Sequence, residues 1–442
     1  MRDPRPLLLG AFGLGLGLSI TLAQAALALL AIRLIWRVAT GRVGMQWPLA
    51  WAFGAWILTS LLAAALSPRP LESLTDVRSL LLIAGFYVVL DALRDASDAE
   101  RWWSRLLAAM GILGILGVLQ VGLCPWLAPL EPVLGRVARK CHRAHAFYSI
   151  YMTFAGVLSL VLLTLLPSLI AGGPRWRLAA WLGGVAGLVA TFVRGAWVGF
   201  VAGVGTLLMV TPRRRLLVSG ALLVLVAAIL LVPAARRRAE SIVDPRDPTA
   251  RERWAMWGSA IAMAGDHPLT GVGPAQLKRV YPSYAAAEFR DRSRGHVHNT
   301  PLQILAERGL VGLAAWLVLF GAFFIRAERI RRALPATASR ERALVAGSLV
   351  AITGFLVGGL TEYNFGDSEV ALMAYLVMAL PFVVERSSRR DPAEPGRAER
   401  WGGHFGPPPC PPTKNRGAAR LRRDAPSAGG YGGPFRGPPC IQ

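Results

Sequence analysis

The chain has 442 residues, of which 54% are hydrophobic and only 17% are charged, against about 25% charged in ordinary soluble domains. Segments such as 216–232 carry no charge over a length that crosses roughly 30 Å of hydrocarbon, which excludes a soluble globular protein. The formal net charge of +23 does not indicate nucleic-acid binding. The basic residues form short clusters between apolar spans, and none of these segments is long enough to fold alone.

Apolar segments of spanning length recur along the chain and predict an all-α, polytopic integral membrane protein with about 12 transmembrane helices. They fall near residues 7–21, 23–36, 47–66, 79–93, 106–124, 147–167, 178–193, 195–211, 216–233, 309–325, 343–360 and 369–385. Residues 7–36 form either one long tilted helix or a tight pair, and only the pair keeps the later loops on consistent sides. The N-terminus also resembles a signal peptide, which we interpret as an uncleaved anchor because so many spans follow.

The loop charges predict which side of the membrane each loop occupies. With the N-terminus inside, the short Arg-rich loops near residues 33–42, 175–177, 213–215 and 326–342 lie in the cytoplasm, as the positive-inside rule requires. Two basic loops, 125–146 and the long loop 234–300, then face the other side and indicate an anionic ligand there. Cys124 and Cys141 bracket the first of them. A disulfide between these cysteines is compatible with an oxidising compartment, but sequence alone leaves it open.

Residues 386–442 differ in composition from the rest of the chain. Proline, glycine and arginine dominate this segment, which has no hydrophobic period and predicts a disordered, basic cytoplasmic tail. We therefore divide the chain into a transmembrane domain at 1–385, which includes the long loop, and this tail.

His298 is the first candidate for chemistry. It ends the long loop in the sequence His296-Val297-His298-Asn299, just before a short amphipathic helix that leads into the span from Gly309. Imidazole, with an ordinary pKa of about 6.5, suits a general base at a membrane surface, whereas a helix-capping or interfacial histidine is the simpler alternative. The His-x-His pattern also begins some metal sites, but no obvious third ligand is near it.

Arginines and one acidic turn supply the remaining candidates. Arg194 is a lone charge between two apolar spans, which costs at least ~2.5 kcal/mol at mid-membrane and less near an interface. Arg194 either has a functional role or is an interfacial arginine whose side chain extends to a lipid phosphate. Residues 251–264 predict a surface helix with Arg253 on one face, which stops at Pro268. Glu362 lies in an acidic turn between the last two spans, where it is either simply solvated or paired with the arginines.

Together these segments resemble the O-antigen ligase / O-antigen polymerase superfamily of bacterial membrane glycosyltransferases over most of residues 40–385. His298-Asn299, nine further residues and Gly309-x-x-Gly312 are similar to the family's signature. The segments RWAMW and DHPLTGVGP resemble the start of the helical part of its long periplasmic loop, and VRGAWVG resembles its arginine segment. The segment from Arg143, RAHAFYSIYMTFAG, is also similar, although the family more often has a glycine where Ala146 stands.

The resemblance implies a GT-C-like fold in a bacterial inner membrane. It further implies inverting transfer of a glycan from undecaprenyl pyrophosphate to a hydroxyl at the periplasmic face, with His298 as the base. The residues expected to bind the donor pyrophosphate are Arg194, Arg253, Arg251 and Arg143, and those expected to support the site are Asn299, Glu307, Gly309, Gly312 and Glu362. We expect no metal or other cofactor, because arginines can stabilise the leaving group and because Asp244 and Asp247 resemble a Pro-rich turn.

We expect an O-antigen ligase whose acceptor is lipid A–core, surrounded by membrane lipids and without a nucleic-acid partner. An O-antigen polymerase or a protein O-oligosaccharyltransferase of the same fold remains open, although the single dominant outer loop favours the ligase. A transporter for lipid-linked oligosaccharides is the more distant alternative. Transporters more often have broken, paired spans and charges at the midplane, whereas the charges here gather at one face.

Overall fold

The structure, a computed structural model, describes residues 3–43, 46–134, 138, 140–210, 215–240, 247–290 and 295–390, and all regular elements in these ranges are helical. The α-helices are α1 (Arg5–Leu18), α2 (Ile20–Ala39), α3 (Ala50–Ala65), α4 (Pro70–Asp76), α5 (Ile83–Ala92), α6 (Ala96–Gly122), α7 (Cys124–Leu127), α8 (Glu131–Leu134), α9 (Tyr151–Ile170), α10 (Arg175–Ala190), α11 (Arg194–Val210), α12 (Arg215–Leu231), α13 (Pro233–Glu240), α14 (Pro248–Asp266), α15 (Leu277–Tyr284), α16 (Thr300–Ala333), α17 (Ser339–Gly358) and α18 (Ser368–Arg390). The expected all-α class is confirmed. Asp244 and residues 391–442, which hold most of the expected tail, lie outside the described residues.

In the described ranges, seven helical segments are long and apolar enough to cross a membrane. They are Ile20–Ala39, Pro70–Ala92, Ala96–Gly122, Tyr151–Ile170, Thr300–Ala333, Ser339–Gly358 and Ser368–Arg389. The helices α1, α3 and α11 are also apolar but shorter. The chain is therefore a multi-pass membrane protein by length and composition, while the number of twelve spans stays a prediction.

The first two helices form the tight pair that the loop charges required. Ser19 alone separates them, with an extended backbone at φ −158°. A Cβ on Gly15 would lie 2.4 Å from the backbone nitrogen of Ala23, so only glycine allows the two helices to approach so closely. Asp3 forms an ion pair with Arg33 at 3.7 Å, which places the start of α1 beside the end of α2. The two-helix alternative for residues 7–36 is therefore confirmed.

Glycines on α11 bring the start of that helix against α17. Gly195 and Gly199 stand one turn apart, and a Cβ on Gly199 would lie 2.4 Å from the carbonyl oxygen of Gly354. A Cβ on Gly195 would lie 2.9 Å from Cγ of Glu362. Small residues at this spacing let helix backbones pack closely in membranes. The glycines of the VRGAWVG segment thus place Arg194 next to the turn that carries Glu362.

Three central helices organise one end of the bundle. Most of the span residues of α9, α17 and α18 are buried inside the protein, whereas α2 is largely exposed. The starts of α9, α11, α16 and α18 and the end of α17 lie together at what we call the site end of the bundle, and α14 packs against α16 there. Residues far apart in sequence therefore meet at the site end.

Candidate functional site

The signature glycine of α16 marks a break in the helix. Gly309 has φ 64° and ψ −169°, so the helical hydrogen-bond pattern stops at this residue. The turn that follows α14 docks on the break, where the N–H of Val272 donates to the carbonyl of Ala306 (2.9 Å) and the N–H of Gly273 donates to that of Glu307 (3.0 Å). These bonds satisfy carbonyls of the broken helix turn, as buried backbone groups require. The DHPLTGVGP segment and the glycine signature therefore form one structural unit.

We expect Gly309→Ala to destabilise the protein, because its Cβ would lie 2.3 Å from the carbonyl carbon of Leu269 on a backbone with positive φ. The φ/ψ values of Gly309 lie in a region that is essentially restricted to glycine, which costs alanine on the order of 1–3 kcal/mol. Gly321→Ala on the same helix is the matched control, since its Cβ meets nothing within 4 Å. Thermal unfolding of the detergent-purified variants tests this. Equal melting temperatures for the two variants would contradict the role assigned to the break.

Asn299 and Thr300 fasten the start of α16 to the turn between α17 and α18. The Asn299 carboxamide caps α16 by accepting from the N–H of Leu302 (3.0 Å), and it donates to the carbonyl of Leu360 (2.8 Å). The Thr300 hydroxyl donates to the carbonyl of Glu362 (3.0 Å). Because Asn299 is the capping residue, a capping role does not explain the histidine before it.

Glu362 joins the candidate base to a candidate arginine. Its Oε2 lies 3.0 Å from Nδ1 of His298, and its Oε1 lies 2.6 Å from Nη2 of Arg253. Because a carboxylate only accepts, Nδ1 donates the proton, and in the neutral imidazole Nε2 then has the lone pair. Burial alone would raise the pKa of Glu362, but the hydrogen bond from His298 and the charge of Arg253 hold it below its ordinary range. The side chain of Glu362 therefore stays anionic at neutral pH.

Strained backbone presents several residues of the site. His298 has φ 51° and Phe192, two residues before Arg194, has φ 54°. Each costs a residue other than glycine on the order of 1–3 kcal/mol and persists only where the surroundings hold it. Ala146, three residues after Arg143, has φ 48°. A glycine would be unstrained at that position, which explains physically why the family more often has one there.

Asp247 holds Arg194. It stands before α14 and accepts from the N–H of Ala250 at 3.0 Å, so it is the N-cap of that helix. Its Oδ2 lies 3.5 Å from Nη1 of Arg194, whose side chain is only 9% exposed. The Pro-rich turn expected at Asp247 is therefore a helix cap that also orients an arginine.

A polar cavity of about 270 Å³ lies between these residues. The charged or titratable residues that line it are Arg143, Arg194, Arg238, Arg253, Glu252, Glu362, His298 and Tyr151. Nε of Arg253 is buried and has no hydrogen-bond partner in the described part of the chain. Burial, followed by the like charges of Arg194 and Arg143, lowers the pKa of Arg238. Converging guanidinium groups with a donor still unpaired are suited to bind the oxygens of a phosphate or pyrophosphate.

The structure brings together most of the residues singled out from the sequence, but not all. Arg251 does not line the cavity, because its side chain is 63% exposed and forms an ion pair with Glu288 at 3.6 Å. Arg238, on α13, does line the cavity although nothing in the sequence singled it out. The run 236–238 contains three consecutive arginines, and helical phase alone could not show which of them faces the site.

Glu307 and Gly312 act beneath the site. Glu307 is buried and pairs with Arg308 at 2.8 Å, while Gln303 donates to it at 2.8 Å. Cβ of Arg308 would lie 2.3 Å from a Cβ on Gly312, so this glycine makes room for the arginine. The Arg308 guanidinium lies 5.3 Å from the ring of Trp56. These two supporting residues therefore stabilise the broken helix and do not line the cavity.

A disulfide anchors the segment that carries Arg143. Cys124 and Cys141 are bonded, with their Cα atoms 5.2 Å apart, which resolves the pairing that the sequence left open. The N–H of Ala144 also donates to the carbonyl of Ala190 at 2.9 Å. Arg143 lies between these two attachments, and its guanidinium lies 4.5 Å from the ring of Tyr151. The segment is therefore fixed on both sides of the arginine.

The described residues include no group of three His, Cys, Asp or Glu side chains placed to hold a metal ion. The rings of His296 and His298 lie 4.2 Å apart. The described part of the fold therefore places no third metal ligand beside these two histidines.

Fold and site together define a multi-pass helical membrane protein with an arginine-lined cavity and a carboxylate-bound histidine at one end of its bundle. Residues 178–317 match the protein family described as O-Antigen ligase. This match supports the O-antigen ligase superfamily and agrees with the resemblance drawn from the motifs. The matched region includes Arg194, Arg253 and His298, whereas Arg143 and Glu362 lie outside it. No curated protein matches the chain.

Proposed function

We propose that the chain is an O-antigen ligase that transfers a glycan from undecaprenyl pyrophosphate to a hydroxyl of lipid A–core at the periplasmic face. The observation that carries this proposal is Glu362, which joins His298 to Arg253 at the edge of the arginine-lined cavity. In this arrangement His298 accepts a proton, and Arg253 binds a phosphorylated leaving group. Transfer from a lipid pyrophosphate to a hydroxyl requires both.

The base acts on the acceptor. The acceptor hydroxyl oxygen attacks the anomeric carbon of the donor sugar, and its proton passes to Nε2 of His298. Glu362 holds Nδ1 and stabilises the imidazolium that forms, so it is a positioning residue. A single displacement of this kind inverts the anomeric centre.

The arginines act on the leaving group. As the new bond forms, the bond from the anomeric carbon to the pyrophosphate oxygen breaks, and the electron pair leaves with the lipid pyrophosphate. Arg194, Arg253, Arg238 and Arg143 line the cavity where that charge would develop. Fixed cations in a partly buried cavity stabilise such charge without reorganising during the reaction. They would serve the purpose that a divalent metal serves in other transferases.

Two observations support a site that faces the periplasm of a bacterial inner membrane. The Cys124–Cys141 disulfide lies at the site end, and disulfides persist in oxidising compartments. At the other end of the bundle, the last turns of α16 carry Arg329 and Arg332, and basic residues gather at the cytoplasmic ends of spans. We expect a membrane-impermeant thiol reagent to label Ser283→Cys, but not Arg332→Cys, in intact spheroplasts. Labelling only at position 332 would reverse the proposed sides.

Reconstituted transfer tests the function. Detergent-purified protein should transfer glycan from an undecaprenyl-pyrophosphate donor to lipid A–core at an unchanged rate in excess EDTA. Loss of transfer that Mg²⁺ or Mn²⁺ restores would contradict the metal-independent mechanism. Longer lipid-linked chains without lipid A–core product would instead identify a polymerase, and transfer only to a protein would identify a protein O-oligosaccharyltransferase.

A further inference from the structure

The two arginines closest to Glu362 and Asp247 line a second space besides the cavity described above. Arg194 and Arg253 also line a pocket of about 120 Å³, together with Trp254 and Trp257. A phosphate group held by these arginines would therefore have an aromatic surface directly beside it. The mechanism so far assigns no role to that surface.

The two tryptophans differ in how they are held. Their ring centroids are 6.0 Å apart, with the ring planes at 30°. Nε1 of Trp257 donates to the carbonyl of Val297 at 3.0 Å, so this ring is fixed to the residue before His298. Trp254 is 71% exposed although it lies one residue from Arg253. Trp257 thus supports the pair, and Trp254 presents an open indole beside the arginines.

We propose that Trp254 is the platform on which the donor sugar next to the pyrophosphate packs. This inference rests on the proposed function, and it adds a contact to the glycan that the arginines do not provide. A sugar bonded directly to a pyrophosphate must lie within a few ångströms of the groups that bind that pyrophosphate. An indole offers a large, rigid, apolar face that suits the C–H face of a pyranose.

Binding measurements with two lipids test the inference. The donor lipid with its glycan is compared with undecaprenyl pyrophosphate that carries no sugar, using the purified full-length protein in nanodiscs. Trp254→Ala should weaken binding of the glycan lipid roughly five- to tenfold and leave binding of the sugar-free lipid unchanged. Trp254→Phe should retain most of the affinity, because a smaller aromatic face remains.

Trp126→Ala is the matched control, since Trp126 is 68% exposed and lines neither space. Equal weakening of both lipids by Trp254→Ala would make this residue a membrane-interface anchor and overturn the proposal. No effect on either lipid would overturn it as well. If wild-type protein binds neither lipid, the proposed donor is wrong, which is distinct from a failure at Trp254 alone.

Discussion

Replacement of His298 by alanine should lower glycan transfer by about 10²–10⁴-fold, the usual contribution of a general base. The variant should still insert and bind the donor, because the cavity arginines remain and because Asn299 caps α16 independently. The measurement is single-turnover transfer with purified protein, accompanied by donor binding.

His296→Ala is the matched control for this prediction. The ring of His296 lies 4.2 Å from that of His298, but Glu362 contacts Nδ1 of His298. The His296→Ala variant should therefore lose less transfer activity than His298→Ala. A His298→Ala enzyme that keeps more than about a tenth of wild-type activity is incompatible with a base worth 10²–10⁴-fold. The histidine would then serve only to hold Glu362 in place, and the arginines would be the main catalytic groups.

Arg194→Ala and Arg253→Ala should each reduce transfer by about 10²–10³-fold, as loss of one donor to developing charge does elsewhere. Lysine at either position should rescue only part of the rate, because an ammonium binds phosphate as a point charge without the planar fork. Measured kcat and donor affinity, with insertion checked by size-exclusion chromatography, test this.

Arg251→Ala provides the matched control for the arginines. It removes an arginine two residues from Arg253, but one that is exposed and paired with Glu288 outside the cavity. It should therefore leave transfer close to that of the wild type. If Arg251→Ala reduced glycan transfer as much as Arg253→Ala does, helix α14 would have to present a different face to the donor.

Sequence periodicity was sufficient to predict the all-helical class and to place the candidate site residues at one end of the bundle. The apolar spans have regular lengths and alternate loops are positively charged. These two patterns predicted that Arg194, His298 and the turn with Glu362 lie at the same end of the bundle. A surface helix over residues 251–264 was also predicted, and α14 (Pro248–Asp266) contains this range. The buried face of α14 contains Met256, Ala260 and Met263, whereas Ile261 is exposed.

The remaining features depend on tertiary partners that periodicity does not encode. The short amphipathic helix before Gly309 buries Ala306 but also Glu307 and Arg308, whereas Leu302 and Leu305 are only half-buried. The charged pair is tolerated because each charge satisfies the other. Asp247 resembled a turn residue because its partner, Arg194, is 53 residues away. The sequence thus indicated which residue types matter, whereas tertiary contacts determine which individual residues of each type reach the cavity.

The sharing of Glu362 has an energetic consequence for the whole site. One carboxylate contacts both the imidazole and a guanidinium, so neither can be altered without changing the field that the other experiences. Effects of substitutions at His298 and Arg253 will therefore not add, unlike those at sites without a common partner. Acid–base chemistry and anion recognition form a single cooperative unit in this protein, and a double-mutant cycle through Glu362 measures their coupling directly.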